Sequence, residues 1–133
     1  MNRKTLPAVL ACMLATLLSG CVQNQVRPEI LEAAKVPLTC RDKAQCDLYW
    51  QRANIWVAAA STYRIQIAND SVIQTYGPFN NEPKLAFQVF RVPEESGAAR
   101  ILIKPVCGNL FGCPSMGVEE AAVAFKQLVR TGK

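Results

Sequence analysis

The sequence predicts a two-layer α+β domain: a four-stranded antiparallel meander, flanked in the chain by two helices packed on one face. Three features point there. A long helical stripe of apolar residues follows Cys40, period-two alternation comes next, and a second helical stripe closes the chain. The connections between the alternating segments are short, which favours antiparallel neighbours. At 133 residues, 50% of them hydrophobic, the chain suits one domain.

The first helix is expected over Lys43–Ala60. Asp42, with Gln45 three residues on, forms a capping-box pattern at its start. Cys46, Trp50, Ala53, Val57 and Ala60 share a stripe that Tyr49 and Trp56 widen, so both tryptophans read as core. Ser61 is a turn or capping residue. Tyr63, Ile65 and Ile67 then alternate with Arg64 and Gln66. Asn69-Asp70-Ser71 marks a turn, and Val72–Tyr76 is the return strand of a hairpin. Gly77–Pro83 is a dense loop pattern. Leu85–Val92 and Arg100–Val106 are two more strands. A final helix is expected over Ser115–Arg130, with Ser115 as its cap and an apolar face of Val118, Ala121, Ala122, Phe125, Leu128 and Val129. Glu119 and Glu120 near its start, and Lys126 and Arg130 near its end, suit the helix dipole.

Composition excludes much chemistry. The chain has six cysteines and no histidine. Ser-His and Cys-His nucleophile pairs, histidine general bases and mixed Cys/His zinc sites are therefore ruled out. No nucleophile-elbow, P-loop or EF-hand pattern occurs. Glu94-Glu95 and Glu119-Glu120 are neighbouring acids on expected surface, whereas a catalytic pair needs one member desolvated across a cleft. No catalytic residue, cofactor or metal site is expected, and the chain is read as a non-enzyme. Its basic residues are scattered, without the aromatic interleaving of a nucleic-acid surface.

The N-terminus carries an address. Met1-Asn2-Arg3-Lys4 is cationic, and the run from Leu6 to Leu18, broken by Pro7 and Thr16, is too short for a membrane span of about 20 residues. It ends in Leu18-Ser19-Gly20-Cys21, which resembles the lipobox of bacterial lipoproteins. The resemblance implies a signal peptide over 1–20 and acylation of Cys21, on sulfur and on the new amine, after cleavage. Val22, where inner-membrane lipoproteins carry aspartate, then implies a lipid anchor in the outer membrane, on its periplasmic face. Residues 21–38 read as the lipidated N-terminus and a tether, with a possible helical turn or two over Glu29–Lys35. As a coil, that stretch would span on the order of 20–25 Å. Residues 39–133 form the domain.

With Cys21 assigned to lipid, Cys40, Cys46, Cys107 and Cys113 form two C-x₅-C sets, an even count that reads as two disulfides in an exported domain. Cys40 and Cys113 each sit two residues before an expected helix cap. Local pairing, Cys40–Cys46 and Cys107–Cys113, would staple both helix starts. The rival pairing, tying the first helix to the final loop, stays open because Cys46 falls on the core stripe. A Cys₄ zinc site fits this spacing poorly, and a redox C-x-x-C is absent. Cys46–Trp50, Trp56-Val57, Ser61–Ile65 and Cys107–Cys113 also resemble stretches of small uncharacterised proteobacterial lipoproteins, which supports class and compartment only.

One surface remains. If Tyr63, Ile65, Ile67, Phe87, Val89, Ile101 and Ile103 face the helices, the opposite sheet face shows Arg64, Gln66, Gln74, Gln88, Phe90, Leu102 and Lys104. A polar face with embedded Phe90 and Leu102 suits a partner protein or a glycan chain, and Phe79 at a loop tip is a second contact. The functional expectation is a membrane-anchored interaction or accessory module of the cell envelope. The alternative is a lipoprotein that binds a small ligand or glycan such as peptidoglycan.

Overall fold

The computed structural model describes residues 26–133. The leader at 1–20, Cys21 and Val22 lie outside the described residues. In chain order the elements are helix α1 (Pro28–Lys35), strand β1 (Leu38–Cys40), helix α2 (Lys43–Ala60), strands β2 (Ile65–Ala68), β3 (Val72–Thr75), β4 (Leu85–Pro93) and β5 (Ala99–Cys107), and helix α3 (Val118–Thr131). The sheet order is β1-β5-β4-β3-β2, with every neighbouring pair antiparallel. The α+β class is as expected, and β2 to β5 run as the meander. The sheet has five strands rather than four. Leu38–Cys40 adds itself to the free edge of β5, with Leu38 opposite Ile101 and Cys40 opposite Ala99.

Helix α2 has the expected bounds because its start is doubly fixed. Asp42 Oδ1 accepts from the Gln45 backbone N–H at 2.8 Å, and Gln45 Oε1 accepts from the Arg41 N–H at 3.0 Å. Helix α3 starts later than expected. Gly117, not Ser115, is its N-cap, and Glu120 reaches back to the Gly117 N–H at 3.1 Å. The Arg52 guanidinium, projecting from α2, donates to the carbonyls of Val129 and Arg130 at 3.0 and 3.1 Å. A cation thus meets the negative end of α3.

One core joins both long helices to one sheet face. Trp56 stands edge-on to Phe87 of β4 and Phe125 of α3, at centroid distances of 5.1 and 5.4 Å. Ile73, Val89, Ile101, Val57 and Val129 close around them with no solvent exposure. Each such side chain contributes about 1.5–3 kcal/mol through burial. No helix among the described residues is long and apolar enough to cross a membrane.

The stretch read as a tether is ordered from Pro28, and α1 packs against α3. Lys126 makes that contact. The residue is buried, and its Nζ donates to the carbonyls of Ala33 and Ala34, at 3.1 and 2.5 Å, and so caps the end of α1. Burial, helped by nearby Arg130, lowers the Lys126 pKa.

Candidate interaction surfaces

The helix-free sheet face assembles from strand alternation. The registers place Val72 opposite Phe90 and Phe90 opposite Leu102, an apolar row across β3, β4 and β5. Beside it runs a polar row, Gln74 opposite Gln88 and Gln88 opposite Lys104. Gln74 Nε2 donates to Gln66 Oε1, and Gln88 Nε2 to Gln74 Oε1, each at 3.4 Å. Phe90 is half-buried and Leu102 exposed. Six of the expected face residues, Gln66, Gln74, Gln88, Phe90, Leu102 and Lys104, are thus together. Arg64 is exposed just before β2, where its carbonyl accepts from the Tyr76 N–H.

Ile67 is a correction to the expected core face. A bulge between Ile65 and Ile67 sets Ile67 opposite Gln74, on the helix-free side, where it is exposed. The extra residue on β2 breaks the alternation that would have aimed Ile67 at the helices.

Phe79 is not part of the sheet face. It lies in the loop after β3, half-exposed and edge-on to Tyr63 at 5.5 Å. The Tyr63 hydroxyl donates to Glu82 at 2.6 Å. This hydrogen bond holds the Glu82 pKa below its usual value, while burial raises that of Tyr63.

That loop supports a second apolar feature that the residue pattern did not reveal. Disulfides join Cys40 to Cys46 and Cys107 to Cys113. The cysteines of both local pairs are thereby unavailable to a metal. In the second ring, Asn109 Oδ1 accepts from the Phe111 N–H at 2.8 Å, and the Asn109 carbonyl from the Gly112 N–H at 3.1 Å. Gly112 completes this turn at φ +92°, a left-handed conformation suited to glycine. The ring rests on the Phe79 loop: the Asn81 N–H donates to the Gly108 carbonyl at 3.0 Å, and Asn109 Nδ2 to the Asn81 carbonyl at 3.2 Å. A side chain on Gly108 has no room, since its Cβ would stand 2.3 Å from the Phe79 carbonyl oxygen. At the turn's tip, Leu110 and Phe111 are 98% and 99% exposed. The available cue was an apolar pair between Asn and Gly inside a short closed ring.

A charged depression of about 530 Å³ lies beside the start of α2, lined by Lys43, Asp47, Trp50, Asp70 and Arg91 among others. Three of its charges, Lys43, Asp47 and Arg91, pair among themselves. Asp47 pairs with Lys43 at 2.5 Å and Arg91 at 2.9 Å, which hold its carboxyl below the usual carboxylate range. Trp50 is buried, and its indole N–H donates to the Asn69 carbonyl at 2.9 Å. The depression therefore offers a glycan no aromatic platform.

No protein-family model, curated protein or solved structure matches the chain.

Proposed function

We propose that this chain is a lipid-anchored envelope protein, attached through Cys21 to the periplasmic face of the outer membrane. It acts as a non-enzymatic module that engages another envelope component through the helix-free sheet face. The observation that carries the interaction reading is the Val72–Phe90–Leu102 row, set in register beside a glutamine ladder. An apolar strip bordered by hydrogen-bonding groups, two glutamines and Lys104, matches the core-and-rim pattern of a protein interface. The anchor reading is supported by the Leu18-Ser19-Gly20-Cys21 pattern after a cationic and apolar leader.

Photo-crosslinking in whole cells tests the surface. A benzophenone amino acid at Phe90 or Leu102 is expected to capture the same envelope protein, whereas one at exposed Ile55 on α2 is not. Capture of no protein from either sheet position would overturn the interaction reading. Labelled palmitate tests the anchor: incorporation is expected in the natural chain and lost in Cys21→Ser. Equal labelling of both chains, or of neither, would overturn it.

A further inference from the structure

We propose that the tip of the Cys107–Cys113 ring is a membrane-docking wedge, with Leu110 and Phe111 inserting into the interfacial layer of the bilayer that holds the lipid anchor. The inference rests on the anchor reading above and adds a second, non-covalent contact between domain and lipid.

Isolated exposed apolar residues are ordinary on a protein surface. Two large adjacent ones, almost wholly solvent-exposed at the apex of a rigid turn, are a different case. A disulfide, the Asn109 side chain, the Gly112 backbone and the Phe79 loop together hold that turn. These contacts fix the backbone that carries the pair outward, away from the core. Phe79, on the supporting loop, is half-exposed as well.

The position of the chain's upstream end selects lipid as the occupant. Val26 and Arg27, the first described residues, line the same depression as Phe111, Gly112 and Cys113. Cys21 is five residues before Val26, so its sulfur-bearing residue is at most about 17 Å further along an extended chain. Acyl chains at Cys21 would hold the ring tip beside the headgroups, where an interfacial element buries its apolar side about 5–10 Å deep. Arg27 lines the depression beside Phe111; it is exposed and pairs at 3.4 Å only with Glu29, itself exposed, so an anionic headgroup would compete with that carboxylate for it.

Tryptophan quenching tests the wedge. The full chain with Phe111→Trp is purified acylated and reconstituted into vesicles of phosphatidylethanolamine and phosphatidylglycerol, with and without brominated acyl chains. Ile55→Trp is the control, and native Trp50 and Trp56 give a buried background. Phe111→Trp emission is expected to shift to shorter wavelength and lose intensity with brominated chains, while Ile55→Trp does neither. Acylated protein whose Phe111→Trp emission stays unshifted and unquenched would overturn the wedge and leave the anchor standing. If Cys21 carries no acyl group, the anchor reading falls, and the same variant with added vesicles decides the tip: quenching supports it and its absence overturns it. Self-association that Leu110→Ser with Phe111→Ser abolishes, without quenching in Phe111→Trp, would replace the bilayer with a second copy of the chain.

Discussion

The two disulfide rings have the same spacing and opposite uses. In the first, Cys40 and Cys46 are buried, and the bond ties the last residue of β1 to the first turn of α2. The residues between them, Arg41-Asp42-Lys43-Ala44-Gln45, are mostly polar and supply the cap that starts the helix. In the second, Cys107 and Cys113 are half-buried, and the residues between them form a turn that directs Leu110 and Phe111 into solvent. One ring places sulfur in the core and polar groups outside. The other is a frame with an apolar exterior. Equal covalent constraint therefore says little about role; what the enclosed residues touch decides it.

Substitutions that treat the rings alike should separate them. Cys40→Ala with Cys46→Ala removes loop closure worth about 2 kcal/mol and buried packing besides, so a loss of about 3 kcal/mol is expected. Calorimetry should show a Tm lower by about 15 °C. Cys107→Ala with Cys113→Ala should cost about 2 kcal/mol and lower Tm by about 10 °C. This second pair should also remove hydrogen-exchange protection at Phe111 and Gly112, whose amides are held within the ring. Equal Tm losses would break the distinction. Gly108→Ala forces a Cβ against the Phe79 carbonyl and should cost about 1–3 kcal/mol in urea unfolding.

Acid sharpens the comparison further. The backbone N–H of Gln45, aided by Arg41, holds Asp42 below its ordinary 3.8, and Lys43 and Arg91 do the same for Asp47. Each is a folded-state pKa below its unfolded value. The stability they contribute is complete well above pH 3.8 and is lost as pH falls through their lower folded values. Melts on either side of that point should show Asp42→Asn losing less Tm on acidification than the natural chain.

What the residues disclosed depended on how local the determining physics is. Lys43–Ala60 was legible to its ends because Asp42 and Gln45 act within one turn. Spacing and caps favoured local disulfide pairing but left the rival pairing open, and the structure has the local one. Leu38–Cys40 was hidden because three residues after Pro37 have no period to read, and their pairing with Ala99–Ile101 is long-range. Ile67 was misplaced because a bulge carries no mark in an alternating stretch. The docking of α1 depends on Lys126, whose charge alone suggested only a solvated last turn of α3. The sheet face was largely readable, as alternation determines it. Leu110 and Phe111 were not: an apolar pair near the core's edge normally signals burial, and only the ring geometry turns it outward.

The smallest expected effect on stability is therefore the most direct test of a ring built for display. Leu110→Ser with Phe111→Ser should leave the urea midpoint within about 0.5 kcal/mol of the natural chain, because neither side chain packs on anything. In a chain that starts at Val22, without leader or acylated cysteine, the same pair should reduce cosedimentation with phosphatidylethanolamine and phosphatidylglycerol vesicles by about tenfold. A lower midpoint with unchanged vesicle binding would contradict this, and would assign the second ring, like the first, to holding the fold.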